Sequence, residues 1–225
     1  MKIPLIIFGI GKISKVLTSY FSNSNDFTIA GFTCDRNFIH SNNYLEYPLI
    51  PFDCIQDFFS PSSFQMHIAI GYQEINIVRA NIYKSAKAKG YQMASYINPD
   101  SHLFRNFKLG ENCFVADGVS IQPGVSIGNN VSIWSNSVIG HDSIINDHTW
   151  IAAGAVIGGN SAVGARTFIG LNTTIGNNIK IGDSCFLGAR TLITKSISDN
   201  SVVIDRDSEL LRLNSEQFLK LSKMK

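Results

Sequence analysis

The chain has 225 residues, 44% of them hydrophobic and 16% charged, with a formal net charge of +2. That length can bury a core in one or two domains. The near-neutral balance, with no run of five like charges, excludes the electrostatic footprint of a nucleic-acid or acidic-membrane binder, so small-molecule partners are expected. No stretch approaches the roughly 20 apolar residues of a membrane span. The opening MKIPLIIFGIGK lacks a small-residue cleavage site and suits a strand-to-helix turn. Four cysteines, Cys34, Cys54, Cys113 and Cys185, show no C-x-x-C spacing, and a reduced cytoplasmic setting is expected.

In chain order, residues 1–98 alternate strand-like and helix-like patterns, the mark of a small Rossmann-like α/β unit with a parallel sheet. IPLIIFG reads as a buried strand and KISKVLTSYF as the helix after it. FTIAGFTCD is a second strand ending at Asp35, and PFDCIQDFF a short helix after Pro51. MHIAIG is a third strand, EINIVRANIYKSAKAKG a helix closed by Gly90, and YQMASYI a fourth strand. The unit is about half the length of a full two-lobed dinucleotide fold. GIGKIS places Gly9 and Gly11 between strand and helix, with Ser14 where a full fingerprint has its third glycine. Its amides are placed to meet phosphate oxygens at the positive helix end, or simply to make the turn. Asp35, at a strand end, is placed to bind ribose or base.

From Leu109 the period becomes six. Fifteen first positions, Leu109 through Ile193, are all aliphatic, and the positions four further on, Cys113 through Ile197, are all small or β-branched. Such a pattern predicts a three-sided solenoid of short parallel strands, one hexad per face, with the aliphatic residue inside. Fifteen hexads make about five coils, on the order of 24 Å tall at the usual strand spacing. A core that narrow requires small residues to alternate with Ile and Leu. The tail from Asp207, with Leu210, Leu211, Asn214, Phe218 and Leu221 at helical spacing, reads as a helix capped by Asp207 or Ser208 that covers the solenoid's open end.

The unbroken I-G-x-x-small-x pattern, with GHDSII at 140–145 and AAGAVIGG at 152–159, resembles the left-handed β-helix (hexapeptide-repeat) acyltransferases. With the α/β unit in front, the chain is similar to the bacterial sugar acyltransferases of the sialic acid O-acetyltransferase and nucleotide-linked amino-sugar N-acetyltransferase type. The resemblance implies a nucleotide-sugar-binding domain over 1–98, a left-handed parallel β-helix acyltransferase domain over 99–200 and a C-terminal helical tail over 201–225. It also implies a homotrimer, with acetyl-CoA in the groove between neighbouring prisms.

Residue by residue, the resemblance makes His141 a general base and Asp142 its acidic neighbour. Many relatives carry a second histidine nine residues after the first; this chain has Trp150 there, where an indole can reshape the acyl pocket. Gly154, Gly159, Leu171 and Asn172 match segments lining the cofactor groove. SVVIDRDSE replaces the family's terminal G-x-P-A-K segment. Relatives use an acidic pair where this chain has Asp35 followed by Arg36, and Gly71 with Tyr72 matches a family turn beside the nucleotide. Each residue has a plainer reading as well: a solvated corner histidine, tight corners of the coil, ordinary α/β turns.

The implied reaction is direct attack by the amine of a nucleotide-linked amino-deoxysugar on acetyl-CoA or another acyl-CoA, with an imidazole accepting the proton and backbone amides stabilising the oxyanion. O-acylation, a larger acyl group such as hydroxybutyryl, and a non-catalytic sugar-nucleotide scaffold stay open. Surface polysaccharide or O-antigen synthesis is the implied setting. A zinc site of the carbonic anhydrase kind needs three converging histidines, and only His141 and His148 fall within the hexads; no metal is expected.

Overall fold

The run IPLIIF forms β1 (Ile3–Phe8), buried from Leu5 to Phe8, in the computed structural model, which describes residues 2–104 and 106–223. It is followed by α1 (Lys12–Ser22), β2 (Phe27–Cys34), β3 (Asn43–Tyr44), β4 (Tyr47–Pro51), β5 (Gln65–Ile68), α2 (Ile77–Ala88) and β6 (Gln92–Met93). The sheet order is β3-β4-β2-β1-β5-β6, all parallel except the β3–β4 pair. PFDCIQDFF begins a 3-10 helix at Phe52–Asp57 rather than an α-helix. The β3–β4 hairpin was not expected: Leu45 and Glu46 both take positive φ (48° and 67°), a primed turn without the Asn-Gly that usually announces one.

YQMASYI does not form a single strand. Gln92–Met93 stays in the first sheet, whereas Tyr96–Ile97 pairs with Phe114–Val115 as the first rung of the next. Ser95 makes the transfer, its hydroxyl accepting from Cys113 N and donating to Gly110 O.

The hexads then wind into a left-handed parallel β-helix with three faces. The first face runs from Tyr96–Ile97 to Val202–Val203 in seven strands, the second from His102–Leu103 to Leu192–Ile193 in six, and the third from Lys108–Leu109 to Lys180–Ile181 in five. Register advances by 18 residues from rung to rung, as in Val138↔Val156↔Thr174. The first-position residues fill the interior, and the small residues between them do more than fit. Buried hydroxyls donate to the carbonyl fifteen residues on: Ser143 to Gly158 O at 3.1 Å, Thr149 to Gly164 O at 3.0 Å and Thr167 to Gly182 O at 3.0 Å. Each satisfied hydroxyl removes what would be a desolvation penalty inside the prism. Cys113 and Cys185 occupy the same inward positions.

Both ends of the helix depart from the sequence pattern. The coil begins earlier than Leu109, since Ile97 and Leu103 are first positions and His102 lies on the second face. At the far end two residues are lost: Ile197 bridges Ile181 and Val202 pairs with Phe186, both 16 residues apart. The tail differs too. Its helix, α3, spans Ser215–Ser222 with Asn214 as N-cap in a capping box with Gln217, not Asp207 or Ser208. It buries none of its residues, so it does not cover the end of the solenoid in this single chain.

The first face is aromatic outside, with Phe114, Trp150, Phe168 and Phe186 in one column, and the α/β unit packs on it. Tyr20 of α1 meets Phe114 with ring centroids 5.1 Å apart and donates to Asp117. Tyr83 of α2 donates to Glu111, and Ile68 N donates to Asn112 Oδ1.

Two buried histidines belong to this packing. His67 has Nδ1 2.8 Å from Ala94 O, and His148 has Nδ1 2.9 Å from the Asn130 amide nitrogen. Burial pushes each down to about 4. Both are therefore neutral in the fold, whereas in the unfolded chain they take up protons near pH 6.5. Above that pH they add nothing to the pH dependence. As pH falls from about 6.5 to about 4 the unfolded state binds up to about two more protons, and stability falls. A thermal-unfolding series should be level from pH 8 to 7 and then decline. Replacing either histidine by glutamine should halve the slope, and an unchanged slope in both variants would refute the assignment.

Candidate functional site

At the carboxyl ends of β1, β2 and β5, where the strand order switches from one side of β1 to the other, lies a cleft of about 830 Å³. Gly9 (φ +120°) forms its floor, and a Cβ there would come 2.8 Å from the Ala69 carbonyl oxygen, so the turn requires glycine. Gly11 is the N-cap of α1, and a Cβ on it would meet nothing within 4 Å. No side chain among the described residues caps α1, so its first-turn N–H groups open onto the cleft beside Lys12, an arrangement suited to phosphate oxygens. Asp35, Phe38 and His40 form one wall, with Gly71, Gln73 and Glu74 opposite. Arg36 turns away: its guanidinium grips Asp53 with two 2.8 Å hydrogen bonds, holding that carboxyl below its ordinary range.

A second cleft, about 390 Å³, lies between the α/β unit and the β-helix. Tyr72, Trp134, Trp150 and Phe168 line it, with Tyr72 4.3 Å from Phe168 and 5.5 Å from Trp150 between ring centroids. Ile13 lines both clefts, and Gly71 and Tyr72 step from one to the other, so the two are contiguous. Trp150 is 5% exposed, with the Arg79 guanidinium 5.4 Å from its ring centroid. It is thus a buried wall of this cleft on the first face, well removed along the coil from the corner that carries His141.

His141 stands at the corner between the second and third faces. Its Nδ1 is 2.9 Å from Asp142 Oδ2, both side chains are more than half exposed, and its backbone N–H donates to Gln122 Oε1. Asp142 takes a left-handed φ of 57°, which turns its carboxylate back to the ring. With the Nδ1 proton given to Asp142, Nε2 presents a lone pair, and it has no partner among the described residues. The ring lies against Gly159, one coil on.

The remaining predicted residues fall on the opposite edge of the second face. Gly154, Leu171 and Asn172 form the corner that follows the first face, where the second cleft opens. That corner has a feature the sequence reading missed. Elsewhere along the other two corners a free backbone N–H is taken by a side chain one coil away, as in Gly159 N to Asn177 Oδ1, Ala165 N to Asp183 Oδ1, Glu111 N to Asn129 Oδ1 and His141 N to Gln122 Oε1. Here the corresponding residues are Leu171 and Ala189, which offer no oxygen. The N–H groups of Ala153, Leu171 and Ala189 have no partner among the described residues. The available signal was the contrast between Asn129, Asp147 and Asp183 recurring in one 18-residue corner column and the run Ala153, Leu171, Ala189 in this one.

Among the described residues no three His, Cys, Asp or Glu side chains converge as a metal site, and no helix is long and apolar enough to cross a membrane.

A family model described as the GMPPB C-terminal domain matches residues 95–206. No curated protein sequence matches the chain. Solved structures do. A mutant of perosamine N-acetyltransferase from Caulobacter crescentus, in complex with CoA and GDP-perosamine, superposes with a TM-score of 0.81 at 21% identity, over 90% of this chain and 93% of that one. The acetyltransferase domain of PglB from Neisseria gonorrhoeae FA1090, in complex with acetyl coenzyme A, gives 0.79 at 21% identity, over 90% and 96%. WeeI from Acinetobacter baumannii AYE gives 0.78 at 18%, over 91% and 97%. The likeness in each case spans the α/β unit as well as the β-helix.

Proposed function

We propose that the chain is an acyl-CoA-dependent acyltransferase that moves an acyl group, acetyl first among candidates, to the amine of a nucleotide-linked amino-deoxysugar. The observation that supports this reading best is the incompleteness of two corners of one prism. One edge of the second face carries an imidazole–carboxylate pair with Nε2 free; the other carries unpaired N–H groups beside an aromatic cleft. A neighbouring copy, in a homotrimer, would bring its His141 to the cleft of the first. The fold shared with proteins crystallised with CoA and GDP-perosamine, or with acetyl coenzyme A, supports the same pairing of substrates.

In this reading the nucleotide diphosphate lies in the first cleft, its phosphates at the first turn of α1 and Lys12, its ribose or base at Asp35. Gly71 and Tyr72 lead the sugar toward the second cleft. The pantetheine arm runs along the corner of Gly154, Leu171 and Asn172, where Ala153, Leu171 and Ala189 offer N–H donors. The sugar amine attacks the thioester carbonyl, Nε2 of His141 takes the proton, and the tetrahedral intermediate collapses to amide and CoA thiolate, which is then protonated. Asp142 orients the ring and stabilises the imidazolium. The unpaired amides are candidate oxyanion donors. The setting is surface-polysaccharide synthesis, including O-antigen, in the cytoplasm.

The test is release of free CoA thiol from a panel of acyl-CoA donors against nucleotide-linked 3-amino and 4-amino sugars. Thiol release confined to one amino-sugar nucleotide is the expected result; none with any acceptor would refute the reading. The apolar second cleft favours including hydroxybutyryl-CoA and hydroxyl acceptors in the panel.

A further inference from the structure

Between Tyr72 and α2 the backbone does something rare. Glu74, Ile75 and Asn76 take φ of 49°, 50° and 63° in succession, a left-handed turn made without glycine and with a β-branched residue in its middle. L-residues resist this conformation, and it persists only where surrounding structure imposes it.

The surrounding structure is identifiable. Asn76 is the N-cap of α2, yet its side chain caps nothing in that helix. It reaches across to the β-helix, donating to Arg166 O at 3.0 Å and Thr167 O at 3.4 Å, and is fully buried. One turn later Arg79, 1% exposed, donates to Ser132 Oγ at 2.9 Å and His148 O at 3.4 Å. No carboxylate pairs with it among the described residues. The turn's other end carries Tyr72 into the aromatic cleft, while Gln73 and Glu74 line the first cleft. It is thus the partition between the two.

We propose that Asn76 and Arg79 form a clamp that holds this left-handed turn against the β-helix corners, and so positions Tyr72, Gln73 and Glu74 for the acceptor. They are positioning residues, acting through the turn. The functional part rests on the acyltransferase reading; the structural part does not.

The chain's only tryptophans, Trp134 and Trp150, both line the aromatic cleft, so intrinsic emission reports on it. Asn76→Ala and Asn76→Gly separate the side chain from the backbone conformation, since glycine keeps the left-handed φ without strain. Both variants should show red-shifted tryptophan emission with an unchanged circular-dichroism spectrum. In the thiol assay both should raise acceptor KM roughly tenfold, the scale of lost hydrogen bonds that fix geometry, with donor KM and kcat within about twofold. A glycine variant that matches the parent in emission and KM would overturn the clamp, because backbone conformation alone would then suffice. If the Asn76 variants cannot be purified, Ser132→Ala decides: a red shift of the same sign supports the clamp and an unchanged spectrum overturns it. A parent protein that turns over no acceptor refutes the acyltransferase reading, while the emission shift still tests the clamp.

Discussion

Replacing His141 by alanine is expected to lower acyl transfer by roughly 10²- to 10⁴-fold, the usual contribution of a positioned general base, with little change in thermal stability. Nδ1 meets Asp142, Nε2 has no hydrogen-bond partner among the described residues, and both side chains are more than half exposed, so removing the ring takes away no core packing. Asp142→Asn should cost less, because the amide can still accept from Nδ1–H while losing the negative charge that stabilises the imidazolium. Thiol-release rates at saturating acceptor, with melting temperatures alongside, check both. Turnover within a few-fold of the parent in His141→Ala would place the proton acceptor elsewhere.

Gly159→Ala should be nearly as damaging to turnover without touching the chemistry directly. A Cβ at position 159 would come 2.5 Å from His141 Nε2, 2.7 Å from Cδ2 and 2.9 Å from Cε1, closer than van der Waals contact allows. The exposed imidazole can swing outward, so the fold yields cheaply and stability should change by about 1 kcal/mol or less. The swung ring no longer presents Nε2 to a reacting amine, and a displacement of that size should reduce turnover at least tenfold. Gly164 is the control. A Cβ there would collide with the backbone of Gly182 and Asp183, which cannot move without opening the coil, so Gly164→Ala should lower the melting temperature. An active, stable Gly159→Ala protein would show that the ring's observed pose is not the productive one.

The interior of the β-helix was legible because a narrow prism leaves few choices: Ile, Val or Leu at every first position and a residue no larger than Ile four later. The pattern disappeared at the first coil, where Phe107 stands four after Leu103 and packs, partly buried, against the core. It disappeared again past Ile193, where two residues are missing from the coil. His141 and Asp142 were legible as an adjacent pair at a corner of the coil because the hexad count puts them there, while their proposed roles rest on the family resemblance alone. Arg36 was not, since nothing in a strand-end Asp-Arg pair says that the arginine will find Asp53 seventeen residues away. Trp150 was legible as a departure but not as a location: its burial under Arg79 and Tyr72 depends on how α2 docks, a long-range matter. The left-handed turn at Glu74 to Asn76 was invisible for the same reason, its cause lying ninety residues downstream at Arg166.

The advance of 18 residues per rung, kept everywhere but the last rung, restricts how this chain can change length. Within the regular rungs a whole coil removed or added keeps every residue on its own face; one or two hexads would keep the aliphatic positions inward but shift the aromatic column off the face that receives the α/β unit, and a number that is not a multiple of six would turn aliphatic side chains to water. Position matters equally. An extra coil beyond Arg190 would lengthen the prism and leave the α/β unit seated as it is. One inserted between Ser132 and Arg166 would separate anchorages that Asn76 and Arg79, a single helical turn apart, must reach together. Growth of the molecule is therefore quantised in full turns and confined to its carboxyl end, with the spacing of two side chains on one short helix acting as the gauge.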